Sequence, residues 1–250
     1  SPDEAALAAL LSDEGLRSLD FTLLGMSMVV HIPAGSVYAG KNTLIEVPLY
    51  YPDIRPYMTM RAFQETDNLT YYNTVALTFD DGPNGWISNS MMDVLLKHGA
   101  RATFFLVGDN VRKHPEEFKM IVERGHRLGN HTYNHIRGFE YLSKNYLENT
   151  DKANELIQTD LFRPPHGHMR WGQYMILRNK YRIVMWDLVT RDYSKCLNGP
   201  QVLGKVKKYV RNGSIITFHD SIKSEKNLKY ALPKAIEWLL EQGYEFKVFD

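Results

Sequence analysis

From Val75 to the C-terminus, short apolar runs alternate with amphipathic ones, and turn residues mark each changeover. VALTFDDGP is an apolar run ending in two carboxylates and a Gly-Pro turn. NSMMDVLLKHG carries apolar residues at helical spacing and closes on a glycine. ATFFLVG reads as a second buried strand. HPEEFKMIVERG reads as a helix, with Pro115 and acidic residues in its first turn, where a missing N–H costs nothing and the dipole favours negative charge. HRLGNHTYNH opens as a strand, YLENTDKANELIQ is helical, LFRPPHG is strand and loop, and YRIVMWDL is strand. GPQVLGKVKKYVRNG is helical, and SIITFHD, LPKAIEWLLEQG and YEFKVFD follow as strand, helix and strand. This alternation predicts a parallel sheet with crossover helices. At least six strands in a stretch shorter than the roughly 250 residues of an eightfold barrel predict an α/β fold, an incomplete or distorted (β/α) barrel.

Residues 1–70 are patterned differently. Leu7, Leu10, Leu11, Leu16 and Leu19 predict an amphipathic helix over residues 1–20. Strand-like runs SMVVHIP and TLIEVPLYY follow, punctuated by PAG, AGKN and YPDIRP. The expected organisation is an N-terminal α+β extension over 1–70, with no assignable role, ahead of a catalytic domain over 71–250. Phe21 to Gly40 carries no Asp, Glu, Lys or Arg. Gly25, Ser27, His31 and Pro33 interrupt it, and a spanning helix needs about 20 mainly apolar residues. Strand is the reading, and no membrane span is expected.

Thirty Lys and Arg against twenty-nine Asp and Glu leave a formal charge of +1, without the basic excess that nucleic acid binding requires. The single Cys196 excludes an intrachain disulfide and multi-cysteine zinc or iron–sulfur sites. The opening SPDEAALAALLSDEG is acidic where a signal's first segment would be positive, so it supplies no address.

Polar residues gather where strand-like runs end. Asp80 and Asp81, His131, Arg163, Asp192 and His219 each follow such a run, and barrel enzymes build their sites at that face. His131 and His135, four apart, would share one side of a helical turn and could hold one divalent ion. Nine histidines in 250 residues make such a pair unremarkable alone. Asp80–Asp81 is either a turn or a site: adjacent carboxylates at a buried strand end repel unless a metal and a cation neutralise them. Two histidines and one carboxylate fit a hydrolytic zinc and also a non-haem iron oxygenase. A second carboxylate beside the ligand favours hydrolysis, because a metal's water needs a base. Arg163 on the rigid RPP loop could orient Asp80. His219 could protonate a leaving group with Asp192 behind it.

TFDDGP at 78–83, HTYNH at 131–135, RPPHG at 163–167, WDLVTRDY at 186–193 and TFHD at 217–220 resemble, in order, the five motifs of the polysaccharide deacetylases, carbohydrate esterase family 4 with its NodB-homology domain. The resemblance implies an incomplete (β/α) barrel and metal-dependent removal of acetyl groups from a glycan, chitin-like or peptidoglycan-like. It makes Asp81, His131 and His135 ligands of one divalent ion, zinc ahead of cobalt or nickel. It makes Asp80 the base, Arg163 its partner, and His219 the acid supported by Asp192. His166 would supply an oxyanion donor through its backbone N–H. His166, Tyr193 and Thr217 depart from the family's usual Tyr or Trp, Trp and Leu, and Val189 replaces a frequent aspartate, which opens the question of acyl specificity. An N-acetylated carbohydrate is the implied partner, and such glycans lie in the envelope or outside the cell. Two alternatives stand beside this reading. One is an acetyl-xylan ester or small cyclic amide or imide as substrate. The other is a glycan-binding module without turnover, with Trp86, Trp171, Tyr133 and Tyr174 as stacking candidates.

Overall fold

The computed structural model describes residues 20–24, 27–32, 45–50 and 74–249, and the chain divides into two compact units, Ser1–Tyr57 and Met58–Asp250. In the first unit β1 (Asp20–Leu24), β2 (Ser27–Ile32) and β3 (Ile45–Tyr50) form an antiparallel sheet in that order. Leu24 pairs with Ser27, so only two residues separate β1 from β2, the spacing of a tight hairpin. Pro48 sits in β3, at an edge of the sheet among the described residues, a position that tolerates a residue without an N–H. The strands expected from SMVVHIP and TLIEVPLYY are present. The helix expected over 1–20 lies outside the described residues except for Asp20, which opens β1.

The second unit alternates strand and helix. Its elements run β4 (Thr74–Asp80), α1 (Trp86–Lys97), β5 (Thr103–Leu106), α2 (Gly108–Lys113), α3 (Pro115–Glu123), β6 (Arg127–Asn130), α4 (Ser143–Ile157), β7 (Leu161–Phe162) and α5 (Trp171–Leu177). They continue β8 (Arg182–Ile183), β9 (Leu188–Val189), α6 (Gly199–Tyr209), β10 (Ile215–His219), α7 (Glu225–Glu241) and β11 (Glu245–Phe246). The strands are parallel in the order β8-β7-β6-β5-β4-β10-β9, with β11 against the start of β4. Laid flat, six inter-strand steps would part β8 from β9 by about 29 Å. Yet only residues 184–187 join them, a reach of at most about 18 Å. The sheet therefore curls into a half-barrel.

YRIVMWDL thus contains two strands, not the one its pattern suggests, because its ends pair with opposite edges of the sheet: Ile183 with Phe162 and Leu188 with Ile216. Helix α7 starts seven residues before the run LPKAIEW. Its buried face, from Leu228 through Leu239, carries the helix past Pro233. Helices α2 and α5 are too short to show a period.

Every residue of β4 is buried, as expected where helices cover one face and the barrel interior the other. The helix-side core stacks Phe79 against Phe104 and Phe218. The interior has layers set by register, since Ile215 pairs with Ala76, Thr217 with Thr78 and His219 with Asp80. The floor is apolar: Ala76, Phe105, Leu161, Val184, Ile215 and Phe249 pack together. Above it lie Thr78, Thr217 and Arg163, and at the mouth Asp80, His131 and His219.

Candidate active site

Arg163 is fully buried, with its guanidinium carbon 4.0 Å from the centre of the Phe105 ring. Nε donates to the Val184 carbonyl at 3.1 Å and Nη2 to the Met185 carbonyl at 2.7 Å. Nη1 donates to Asp80 Oδ1 at 2.7 Å and Thr78 Oγ1 at 2.9 Å, with Thr217 Oγ1 at 3.2 Å. Thr78 gives its own proton to the Ile216 carbonyl at 3.0 Å, so the Thr217 hydroxyl donates to Thr78 across their 3.0 Å contact. Neutral acceptors take most of the guanidinium's hydrogens, and Asp80 is its ionic partner. The arrangement fixes Oδ1 and leaves Oδ2 facing the cleft, 4.0 Å from His131 Nε2.

Asp81 turns away from its neighbour because its φ is 77°, a left-handed conformation that non-glycine residues adopt at a cost. Asn110 Nδ2 holds its carbonyl at 2.7 Å. Five of the six positive-φ non-glycine residues among those described lie in the motif loops: Asp81, Thr132, His135, His166 and Arg191. Such strain collects at functional sites and persists where surroundings enforce it. Around His131 and His135 the enforcement is visible. Asn130 Oδ1 accepts the Thr132 N–H, and Asn149 Oδ1 accepts those of Tyr133 and Asn134. No helical turn forms here; the expectation that helical spacing aligns the two histidines is corrected. A clamped loop folds them together, with ring centroids 5.1 Å apart.

His131, His135 and Asp81 each offer one atom within 4.8 Å of the others. Asp81 Oδ1 stands 3.1 Å from His135 Nε2 and 3.8 Å from His131 Nε2. These spacings bracket the roughly 3.3 Å between neighbouring ligands of a tetrahedral zinc. His131 donates from Nδ1 to the Arg163 carbonyl at 2.7 Å, leaving the Nε2 lone pair to the cluster. Burial outweighs the nearby carboxylates and pushes this imidazole down to about 4, so it is neutral at pH 7. Burial alone would raise the Asp81 carboxyl, but the His135 hydrogen bond and the charges of His219, His131 and His135 hold it well below the usual range. The residues fit a divalent ion.

On the opposite wall His219 Nδ1 meets Asp192 Oδ1 at 2.8 Å, and its backbone N–H meets Oδ2 at 2.9 Å. Burial disfavours the imidazolium, but Asp192 overrides it and, with Asp80 and Asp81, lifts the group to about 9. Tyr193 stands edge-on to His219, centroids 4.6 Å apart. His166 is at φ 59° in the turn Pro165–Gly167 with its ring 4.7 Å from that of His135. His219, Tyr193 and His166, together with Trp186, Val189 and Thr217, line a cleft of about 660 Å³. All ten candidate catalytic, pocket and metal residues converge here or directly beneath, whereas of the stacking candidates Tyr133 and Tyr174 are buried and Trp86 lines a separate pocket.

Several contributors lie beyond the candidate residues. Trp186 walls the cleft, and Asn110, Asn130 and Asn149 clamp the loops. Asp220 is a buried carboxyl that burial pushes up to about 7, against hydrogen bonds from Ser88 and Asn84. Gly82 is required beside it, since a Cβ there would lie 2.3 Å from Asp220 Oδ2. Only the Asp in TFHD and the Gly in TFDDGP could have hinted at this contact.

A parallel half-barrel carries at its mouth a His-His-Asp cluster and a separately anchored second carboxylate, an arrangement suited to a hydrolase. The chain matches the Polysaccharide deacetylase family over residues 69–178 and belongs to it. It is 30% identical over 180 residues to a peptidoglycan-N-acetylglucosamine deacetylase of Bacillus cereus, an overlap of 69% of this chain and 84% of that protein. Among solved structures, the Bc1960 peptidoglycan N-acetylglucosamine deacetylase superposes with a TM-score of 0.69 at 30% identity, covering 75% of this chain and 91% of that one. A CE4 family pseudoenzyme from Bacillus anthracis superposes at 0.64 with 27% identity, covering 70% and 63%. Some curated relatives are longer, and the chain spans 38% of their length. Among the described residues no helix is long and apolar enough to cross a membrane.

Proposed function

We propose that residues 71–250 remove N-acetyl groups from a peptidoglycan-like or chitin-like glycan by metal-assisted hydrolysis. One observation carries the reading: two adjacent carboxylates have different partners, Asp81 facing two imidazoles and Asp80 a buried guanidinium. Asp81, His131 and His135 would hold the divalent ion, zinc first, which when bound acidifies water and polarises the acetyl carbonyl. Asp80 Oδ2 takes the proton of the attacking water, its other oxygen being fixed by Arg163. The oxygen of that water bonds to the carbonyl carbon, and the His166 N–H donates to the resulting oxyanion. His219, charged through Asp192, gives its proton to the nitrogen as the C–N bond breaks, releasing acetate and the amine. Thr217 has its hydroxyl committed to Thr78 and Arg163, which leaves its methyl for the acetyl pocket alongside Trp186, Val189 and Tyr193.

Acetate release from N-acetylchitooligosaccharides, peptidoglycan fragments and acetylated xylan tests the substrate, and metal analysis tests the ion. Asp80→Asn is expected to abolish turnover while zinc still binds, whereas His131→Ala loses both. Turnover in Asp80→Asn equal to wild type would remove the base assignment.

A further inference from the structure

We propose that the ledge formed by residues 137–142 and 166–171 is a second sugar-binding surface, on which a glycan strand lies beyond the unit being deacetylated. The proposal rests on the glycan reading above. Arg137 and His166 both line the cleft, and they are the first residues of the two ledge segments, so the ledge adjoins the cleft in the chain.

The ledge is built to be rigid. The Gly138 N–H donates to the His168 carbonyl at 3.1 Å, and a Cβ on Gly138 would lie 2.5 Å from Met169 Cα. Gln173, fully buried, donates from Nε2 to the carbonyls of Gly138 at 2.9 Å and Tyr141 at 3.3 Å. Its Oε1 accepts the Arg170 N–H at 2.8 Å, and Arg170 Nη2 reaches the Phe139 carbonyl at 2.6 Å. A buried side chain thus spends its hydrogen bonds joining two surface segments.

What the ledge displays is exposed and aromatic. Trp171 is 73% exposed and Phe139 55%. Each ring is backed by another, Trp171 by Tyr174 and Phe139 by His168, both pairs with centroids 5.2 Å apart. Elsewhere an exposed indole has a partner: Trp86 is covered by the Lys229 ammonium, 4.3 Å from its ring. Exposed, clustered hydrophobic surface beside a cleft marks an interaction site. The C–H face of a pyranose, polarised by its oxygens, suits the negative face of an aromatic ring. Pre-ordered rings bind at small entropic cost. The ledge's acid, Glu140, is already paired with Arg137, so nothing repels a neutral or acidic sugar.

The test uses N-acetylglucosamine oligomers of two to six units on the full chain. Wild-type kcat/KM for acetate release is expected to rise with length. Trp171→Ala and Phe139→Ala are each expected to cut the hexamer-to-dimer ratio about tenfold, equivalent to about 1.4 kcal/mol, mainly through KM, while Trp171→Phe restores most of it. An unchanged ratio in both alanine variants overturns the proposal. The Trp171 indole N–H signal, titrated with hexamer, reads binding without turnover. A saturable shift with hexamer that dimer does not produce supports the ledge even if no acetate appears, in which case the deacetylase reading alone fails. No shift with hexamer overturns the ledge.

Discussion

Replacing Asp192 by asparagine removes the group that keeps His219 charged. Burial works against the imidazolium, yet Asp192, with Asp80 and Asp81 behind it, raises the group from 6.5 to about 9. At 1.36 kcal/mol per unit, this is about 3 kcal/mol of preference for the charged ring. Asparagine cannot reproduce both contacts. The His219 backbone N–H needs an acceptor at 2.9 Å and Nδ1 faces another at 2.8 Å, but an amide has one oxygen. If that oxygen serves the backbone, the NH2 points at Nδ1, which must then accept and become unprotonated. The variant ring is therefore expected to be neutral above pH 6.5.

The folded value lies above the unfolded one. His219 therefore contributes its full stabilisation below pH 6.5 and loses it as pH rises through about 9. Long-range 1H–15N NMR of the imidazole nitrogens in metal-free protein, from pH 5 to 10, should give a wild-type midpoint near 9 and a variant midpoint under 6.5. Urea unfolding at pH 6 and pH 10 should show the wild type losing up to about 3 kcal/mol across that range, and the variant losing much less. A wild-type ring that titrates at 6.5 or lower, or a variant that titrates with the wild type, refutes the reasoning.

Asn149→Ala removes the acceptor of the Asn134 N–H and leaves the Tyr133 N–H only the residue-149 carbonyl at 3.2 Å, loosening the histidine loop. Zinc affinity, measured against a competing chelator, is expected to fall 10- to 100-fold, the usual effect of losing outer-shell support; unchanged affinity would show that the loop holds itself. Arg163→Met leaves the Asp80 carboxylate buried without its ionic partner and strips the Val184 and Met185 carbonyls of donors. Urea unfolding should register a loss of about 3–5 kcal/mol, and a loss under about 1 kcal/mol would mean that water reaches this layer.

The half-barrel and the positions of the chemistry were legible because parallel strands are long apolar runs that end abruptly in polar residues, as β4 and β10 do. Strands β7, β8, β9 and β11 have two residues each, too few to carry a period, so YRIVMWDL looked like one strand. The histidine pair was found by spacing, but its helical turn was wrong. The loop that carries the left-handed Thr132 and His135 is clamped at Thr132 by Asn130 and at Tyr133 and Asn134 by Asn149, and no local pattern reports the latter, distant partner. Arg163 was recognisable from RPP, yet two of its acceptors are carbonyls, which every residue has. Asp220 reads as a loop acid, and only the fold reveals that Ser88 and Gly82 enclose it.

Residues 184–187 do two things at once. They are the sole covalent strap between the sheet's two margins, and the carbonyls of Val184 and Met185 grip the guanidinium that aims Asp80. Those acceptors belong to the backbone, so substitution at either position leaves the grip in place. Changing the strap's length by one residue does not: it would turn other peptide groups toward Arg163 and splay the margins together. In this stretch, evolution is free to edit letters but not to change their number.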